Sequence, residues 1–318
     1  PRRLRLVSYQ QLVPGGSLGE PGPMTSRDEA LGAVLARNPF ATDFPGAIAW
    51  ASAAAPAGAT VRTGDDRDAF LGPRGAVARP EALVAGSAPL EAADGDADPA
   101  AIVEVVLDIP AGGTRACAFL LGEETGRDAV ARRLEVLRAP GAIEAALAAA
   151  TGDWDALQSR LRVTTPEPAI DRMVNGWLTY QNLSCRIWGR SALYQSGGAF
   201  GFRDQLQDSA ALVWQRPDLT RAQIVLHAGH QFVEGDVLHW WHPPKGRGIR
   251  TRFADDLLWL PYLAAYYVGV TGDTGVLDEP APFLRARALE AHEQEAFLAP
   301  EDSGESAGVY EHGARAID

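Results

Sequence analysis

The stretch Gly126–Arg160 reads GRDAVARRLEVLRAPGAIEAALAAATGDWDALQSR, and it divides the chain into two textures. Val130, Leu134 and Leu137, then Ile143, Leu147 and Trp154, recur at helical spacing, so the stretch is read as helical, with Pro140-Gly141 parting two helices. Upstream the signals are those of strands. Leu4 and Leu6 alternate with Arg3 and Arg5, Ile102–Ile109 is a β-branched run closed by Pro110, and Arg115–Leu121 follows the turn residues Gly112-Gly113. The last two runs read as adjacent antiparallel strands, and Ala51–Gly58 and Ala92–Pro99 as loops. Downstream, 167–186, 204–215, 219–233, 256–270 and 281–297 read as helices, the first capped by Thr165 with Pro166 at its first position. The expected fold class is α+β and multidomain: a partial β-sandwich over 1–125, a helical linker over 126–165, and helices joined by long polar loops over 166–318, in the manner of an α/α barrel.

Composition narrows the function. The chain has 318 residues, with 29 Lys+Arg against 41 Asp+Glu and a net charge of −12. An acidic chain repels phosphate backbones, which removes nucleic acid from the expected partners. At 46% hydrophobic and 22% charged residues the sequence has the material for packed domains. No run approaches the roughly 18–20 apolar residues of a spanning helix, and Pro1 opens no signal-like leader, so this piece is expected to be soluble. Cys117 and Cys185 read as packed thiols in a reducing, cytoplasmic setting. The start without Met and the end at Ala316-Ile317-Asp318 read as a segment cut from something longer.

The unusual residues gather between 177 and 259, which hold six of the eight tryptophans and four of the six histidines. Aromatic rings flanked by Asp, Arg, Gln and His suit a sugar, whose ring stacks while its hydroxyls bond charged planar groups; the competing reading is an aromatic core without ligand. In the densest stretch, Tyr194–Asp208, glycines let the backbone approach a ligand, and Arg203, Asp204, Gln205, Gln207 and Asp208 arrive together at a helix start. The plainer alternative is a loop whose Asp204 caps the helix and pairs with Arg203. A second stretch, Gln231–Asp256, places Trp240-Trp241 between His239 and His242. The tryptophans favour sugar stacking. The histidines, with Glu234, Asp236, His227 and His230 nearby, leave a zinc site as the alternative, on a weak H-x-x-H pattern. Arg247, Arg250 and Arg252 suit an anion, or pair with Glu234, Asp255 or Asp256, and the last two also suit a helix cap.

At these residues the sequence resembles glycoside hydrolase family 94, the inverting phosphorylases. Within it the sequence is most similar to the phosphorylase-like domain of cyclic β-1,2-glucan synthases and to β-1,2-oligoglucan phosphorylases. The likeness is carried by Asn175-Gly-Trp-Leu-Thr-Tyr-Gln181, Arg186-Ile-Trp-Gly-Arg-Ser-Ala-Leu-Tyr-Gln195, Gly201-Phe-Arg-Asp-Gln-Leu-Gln-Asp208, Gly235-Asp-Val-Leu-His-Trp-Trp-His-Pro-Pro244 and Arg250-Thr-Arg-Phe-Ala-Asp-Asp-Leu-Leu-Trp-Leu260. It extends less sharply over 28–165, through Ala36-Arg-Asn-Pro-Phe40, Thr63-Gly-Asp65 and Phe70-Leu-Gly72.

The resemblance implies a β-sandwich, a helical linker and the first half of an (α/α)6 barrel. It implies that Arg203 and Asp204 grip hydroxyls of the donor sugar, and the expected substrate-binding set adds Gln195, Gln207, Asp208, His239, Trp240, Trp241, Arg252, Asp255 and Asp256. The reaction implied is phosphorolysis with inversion, in which phosphate attacks the anomeric carbon while a carboxylic acid protonates the leaving oxygen. That general acid is expected beyond Asp318, so no catalytic residue is assigned and the segment alone is expected to be inactive. The position six residues before the donor-site Asp, an Arg in the disaccharide phosphorylases, is Gly198 here. The expected partners are a β-linked glucan or glucooligosaccharide and inorganic phosphate as co-substrate, with no cofactor and no metal. A glucan synthase parent would add membrane-embedded upstream domains, with this region on the cytoplasmic side. The rival readings are a non-catalytic carbohydrate-binding module and a zinc-dependent hydrolase.

Overall fold

Strands and helices segregate along the chain in the computed structural model, which describes residues 1–12, 24–72, 75–84, 98–190 and 197–318. These residues form two compact units, Pro1–Ala149 and Ala150–Asp318. The first contains β1 (Arg2–Gln11), β2 (Met24–Asp28), β3 (Ala33–Arg37), β4 (Ala47–Ala54), β5 (Thr60–Asp66), α1 (Arg67–Leu71), β6 (Pro99–Ile109), β7 (Ala118–Thr125) and α2 (Arg127–Arg138), and α3 (Ala142–Ser159) begins in it. Two antiparallel sheets, in the orders β1-β6-β5 and β2-β3-β4-β7, face each other. Val34, Ala51 and Ala53 of one pack on Ala101, Val103, Val105 and Leu107 of the other. The opposite face of the second sheet carries Ala33, Leu35, Ile48 and Trp50, which Val130 and Leu134 of α2 cover.

Two expectations change here. The runs 102–109 and 115–121 are not neighbours: β6 pairs with β1 and β5, whereas β7 pairs with β4. The Gly112-Gly113 turn therefore lies in a connection that changes sheets, and turn residues alone do not distinguish that from a hairpin. Ala51–Ala54 belongs to β4 rather than to a loop. Between a facing sheet and a helix, small side chains are what the packing accepts, and their weak strand propensity hid the strand.

On the outer face of β6, Glu104 is fully buried and receives Arg5 Nε from β1 and Arg62 Nη1, at 3.2 Å, from β5. Replacing both arginines by leucine leaves that carboxylate without a partner, and a loss of about 3–5 kcal/mol is expected in urea unfolding. Adding Glu104→Leu to the double variant should restore most of it; no recovery would show that the arginines act through packing instead.

The second unit takes in the rest of α3 and continues with α4 (Pro168–Arg172), π-helical turns at Met173–Trp177 and Asn182–Trp188, and α5 (Leu178–Gln181) between them, these last four continuous in helical backbone. Its cap is Glu167, whose side chain accepts from Ala169 N at 3.0 Å, with Pro168 following. Thr165 instead bonds Asp171 at 2.8 Å, so the helix starts two residues later than expected. Then come β8 (Phe200–Gly201), α6 (Phe202–Ala210), α7 (Pro217–Ala228), β9 (Leu238–His242), β10 (Arg247–Thr251), α8 (Ala254–Thr271), β11 (Pro280–Arg285), β12 (Glu295–Leu298), β13 (Glu301–Gly308) and α9 (Val309–Ile317).

The helix expected over 281–297 is replaced by β11, β12 and the loop between them. Ala281 and Phe283 are buried while Pro280 and Pro282 are exposed, a period of two. The prolines lack the N–H a helix interior needs but are tolerated in the two-stranded sheet β11-β13. A second sheet, in the order β12-β10-β9-β8, packs Trp241 against Phe202 and Leu206 of α6, Ile224 and Ala228 of α7, and Leu260, Leu263 and Tyr267 of α8 in one core. The mixed α/β chain thus joins a sandwich to a largely helical part. Among the described residues, no helix is long and apolar enough to cross a membrane.

Candidate functional site

Gly201 is the cap of α6, and its N–H donates to Gln205 Oε1 at 2.5 Å. A Cβ at Gly201 would lie 2.9 Å from Asp204 Oδ2, so the bare glycine leaves room for the Asp204 side chain at the helix start. From β9 come His239 and Trp240, and from the start of α8 come Asp255 and Asp256. With Phe253 these residues and Arg203 line a cavity of about 280 Å³, near the lower end of the roughly 300–1,000 Å³ common for small-ligand sites.

The charges are organised in pairs. Arg203 Nη1 donates to Asp255 Oδ2 at 2.7 Å, and its guanidinium carbon is 5.9 Å from the centre of the Trp259 ring. His239 donates from Nδ1 to Asp256 Oδ2 at 2.7 Å, and Asp256 is only 2% exposed. The imidazole also leans on Phe253, ring centres 5.0 Å apart. The Asp256 hydrogen bond raises the His239 pKa above 6.5, further supported by the charges of Asp256, Asp204 and Asp255, while partial burial opposes the rise.

A histidine with a raised folded pKa adds stability that is complete below its unfolded value and is lost as pH rises through the folded one. The unit should therefore weaken as pH rises from its unfolded pKa of about 6.5 through the raised value. Asp256→Asn should flatten that slope in thermal melts taken across the range. An unchanged slope would remove the pair as its source.

Arg203, Asp204, His239, Trp240, Asp255 and Asp256 of the expected set thus meet in one cavity, and the other described members of the set lie elsewhere. Trp241 is 1% exposed and stacks on Phe200 at 5.3 Å and His230 at 3.8 Å, because successive residues of β9 face opposite sides. Asp208, one turn after Asp204, turns from this cavity to a neighbouring one, where Arg186 Nε bonds it at 2.6 Å. Burial raises the Asp208 pKa and Arg186 partly offsets that. Gln207 is exposed on α6 outside the cavity lining. Arg252 donates to the carbonyls of Glu293 and Glu290, both at 2.8 Å, and so ties down the loop before β12. Gln195 lies outside the described residues.

Neither Asp204 nor Asp255 nor Asp256 is a helix cap: the caps are Gly201 and Phe253, and the three carboxylates fall in first turns. Arg250, expected to suit an anion, is 2% exposed and spans Asp236 and Glu234, the latter at 3.1 Å, so the pairing alternative describes it. His227 is fully buried and His230 partly so, and desolvation pushes their pKa values down to about 3 and about 4 and keeps them neutral. His242 bonds the Gly197 carbonyl at 3.1 Å, away from His239. Among the described residues no group of three or more His, Cys, Asp or Glu side chains is arranged to hold a metal.

Sequence reading left out Phe253 as part of the site and did not tie Trp259 to Arg203, although both lie in the quoted motifs. It also missed why Gly248 is a glycine: a Cβ there would come within 2.0 Å of the Trp240 carbonyl oxygen across the β9–β10 pair. Gly248→Ala must displace backbone and should destabilise the unit by about 1–3 kcal/mol in urea unfolding. Wild-type stability in that variant would mean that β10 shifts freely.

Comparison with known proteins gives the same division of the chain. The description "Glycosyl hydrolase 94 superfamily, catalytic domain" matches residues 153–318, and "Glycosyl hydrolase 94, supersandwich domain" matches 1–140. Cyclic beta-(1,2)-glucan synthase NdvB of Rhizobium meliloti (strain 1021) is 41% identical over 320 residues, covering 100% of this chain and 11% of that protein. N,N'-diacetylchitobiose phosphorylase of Vibrio proteolyticus is 30% identical over 55% of this chain and 23% of its own length. Solabiose phosphorylase of Paenibacillus borealis is 27% identical over 68% of this chain and 27% of its own. The chain therefore spans about a tenth to a quarter of these relatives. With both domain descriptions matched in order and the glucan synthase aligned from end to end of this sequence, the chain belongs to the glycosyl hydrolase 94 superfamily.

Proposed function

We propose that this chain supplies the donor-sugar side of a phosphorylase-type active site that cleaves or rearranges β-1,2-glucan by inverting phosphorolysis, giving glucose 1-phosphate. The observation that carries the reading is the Arg203–Asp255 pair beside Asp204, Trp240 and the His239–Asp256 pair in one small cavity. Carboxylates there accept from sugar hydroxyls, the guanidinium donates to them, and the Trp240 ring offers an apolar face. The glucan synthase relationship favours the β-1,2 linkage over the disaccharides of the other relatives.

In this reading Arg203 and Asp204 fix the donor ring, and His239, oriented by buried Asp256, holds the carboxylate cluster in a mixed charge balance. Phosphate takes the place of the base-activated water of an inverting hydrolase, so one protein carboxylic acid suffices. That acid and the phosphate contacts are assigned to residues outside 1–318, in the remaining part of an (α/α)6 barrel to which α4–α9 would contribute. The segment alone is then inactive, and no cofactor or metal takes part. The same relationship suggests a longer glucan synthase with membrane-embedded upstream domains and this region on the cytoplasmic side, which fractionation of the producing cells would check.

The test incubates a longer protein carrying this segment with β-1,2-glucooligosaccharide and phosphate while glucose 1-phosphate is followed. Phosphate-dependent product supports the reading. Glucan binding without product favours a carbohydrate-binding module, and glucose released without phosphate a hydrolase.

A further inference from the structure

A second cavity, of about 750 Å³, opens between the helix Pro168–Trp188 and the C-terminal end of α6. Two amides on its wall are each half used. Gln215 is 3% exposed, and its Oε1 accepts from Thr179 Oγ1 at 2.9 Å, which leaves the buried Nε2 without a partner among the described residues. Asn182 donates from Nδ2 to the Asp208 carbonyl at 2.7 Å, which leaves its buried Oδ1 without one. Among the described residues, a donor and an acceptor in the wall of this cavity thus both lack a partner, each costly unless something answers it. A hydroxyl group answers both kinds, since it accepts and donates.

The rest of the lining extends that chemistry. Asp208 and Arg186, 2.6 Å apart, present a carboxylate and a guanidinium, and Leu178 and Leu212 present an apolar wall. Arg186 also reaches towards the first cavity, its Nη2 3.9 Å from Asp204 Oδ2. One arginine therefore touches two carboxylates a helical turn apart, Asp204 on the first cavity and Asp208 on the second.

We propose that this second cavity is a separate binding site for a hydroxyl-rich ligand, a glucosyl unit, held by Gln215 Nε2, Asn182 Oδ1 and the Arg186–Asp208 pair. The choice of glucose as the sugar rests on the function proposed above; the need for a hydroxyl-rich ligand does not. The source is either free glucose or a residue of a glucan chain. Because Arg186 contacts both carboxylates, filling one site changes the charge environment of the other.

Cys185, an exposed thiol on the cavity wall, provides the reporter. In a Cys117→Ser background, alkylation of Cys185 by a maleimide is timed against increasing glucose or β-1,2-glucooligosaccharide. Saturable slowing of about fivefold or more is expected, with glucose alone sufficient if the source is the free sugar and only the oligosaccharide effective if it is a glucan chain. Slowing should persist in Arg203→Ala, which disables the first cavity, and weaken at least tenfold in apparent affinity in Asn182→Leu. Gln215→Leu is the second variant, read the same way should Asn182→Leu not fold.

No slowing with either sugar overturns the proposal. So does slowing that disappears in Arg203→Ala, because the ligand would then sit in the first cavity only. A Cys185 that reacts in this chain but is inert in the longer protein also overturns it, since the groove would then be covered by polypeptide. Protection that survives in a protein showing no phosphorolysis would support this site while removing the proposed reaction.

Discussion

Arg203→Ala in a longer protein that carries this segment is expected to lower kcat/KM for phosphorolysis by about 10²–10³-fold, the scale set by losing one preorganised charge-assisted donor. The guanidinium is already oriented before ligand arrives: Asp255 holds Nη1 at 2.7 Å and the Trp259 ring lies 5.9 Å below the guanidinium carbon. Removing it costs twice, since the ligand loses a donor and Asp255 loses its counter-charge beside Asp204 and Asp256. Arg203→Lys should recover little, because an ammonium cannot bond Asp255 and a hydroxyl with the same planar fork. Asp204→Asn tests the other half; it keeps the size but removes the charge that makes the acceptor strong. Steady-state rates with β-1,2-glucooligosaccharide decide the matter. Arg203→Ala and Asp204→Asn variants within twofold of wild type would show that the cavity does not grip the reacting sugar.

How far the sequence discloses this site depends on what each signal encodes. Helical periodicity locates α2, α3, α6, α7 and α8, because an apolar stripe at that spacing has few other uses. It fails at 281–297, where Pro280 and Pro282 bracket the alternating burial of Ala281 and Phe283. The concentration of Trp and His between 177 and 259 marks the right region but mixes two roles. Adjacent residues of β9 face opposite ways, so Trp240 reaches the cavity while Trp241 enters the core, and composition cannot separate them until the strand is known. Arg203 and Asp204 lead to the cavity because a helix start concentrates polar groups there. Arg252 does not, since its reach is spent on the carbonyls of the loop before β12. Asp208 shares a motif with Asp204, but the turn between them is enough to place it on another cavity.

That division between Trp240 and Trp241 predicts opposite outcomes for the same substitution. Trp241→Ala empties a site packed by Phe200, His230, Phe202 and His227, with ring centres 3.8–6.5 Å away. Residual cavity and lost burial together should destabilise the second unit by about 3–5 kcal/mol, seen as a lowered urea midpoint. It should also release His230, which stacks on Trp241 and whose burial keeps it neutral at a pKa of about 4, against the opposing hydrogen bond of the Leu226 carbonyl. Once opened to water, His230 should titrate nearer its ordinary value, and NMR of its ring protons would follow that. Trp240→Ala removes a half-buried ring that meets Phe297 at 5.9 Å and the edge of His242 at 5.2 Å, so most of what it loses is the stacking face towards the cavity. Stability should change by about 1 kcal/mol or less, while glucooligosaccharide affinity falls on the order of tenfold or more, as loss of an aromatic stacking partner implies. If Trp240→Ala unfolded the chain and Trp241→Ala weakened only sugar binding, the two faces of β9 would have to be exchanged, and with them the wall of the cavity on which the proposed function stands.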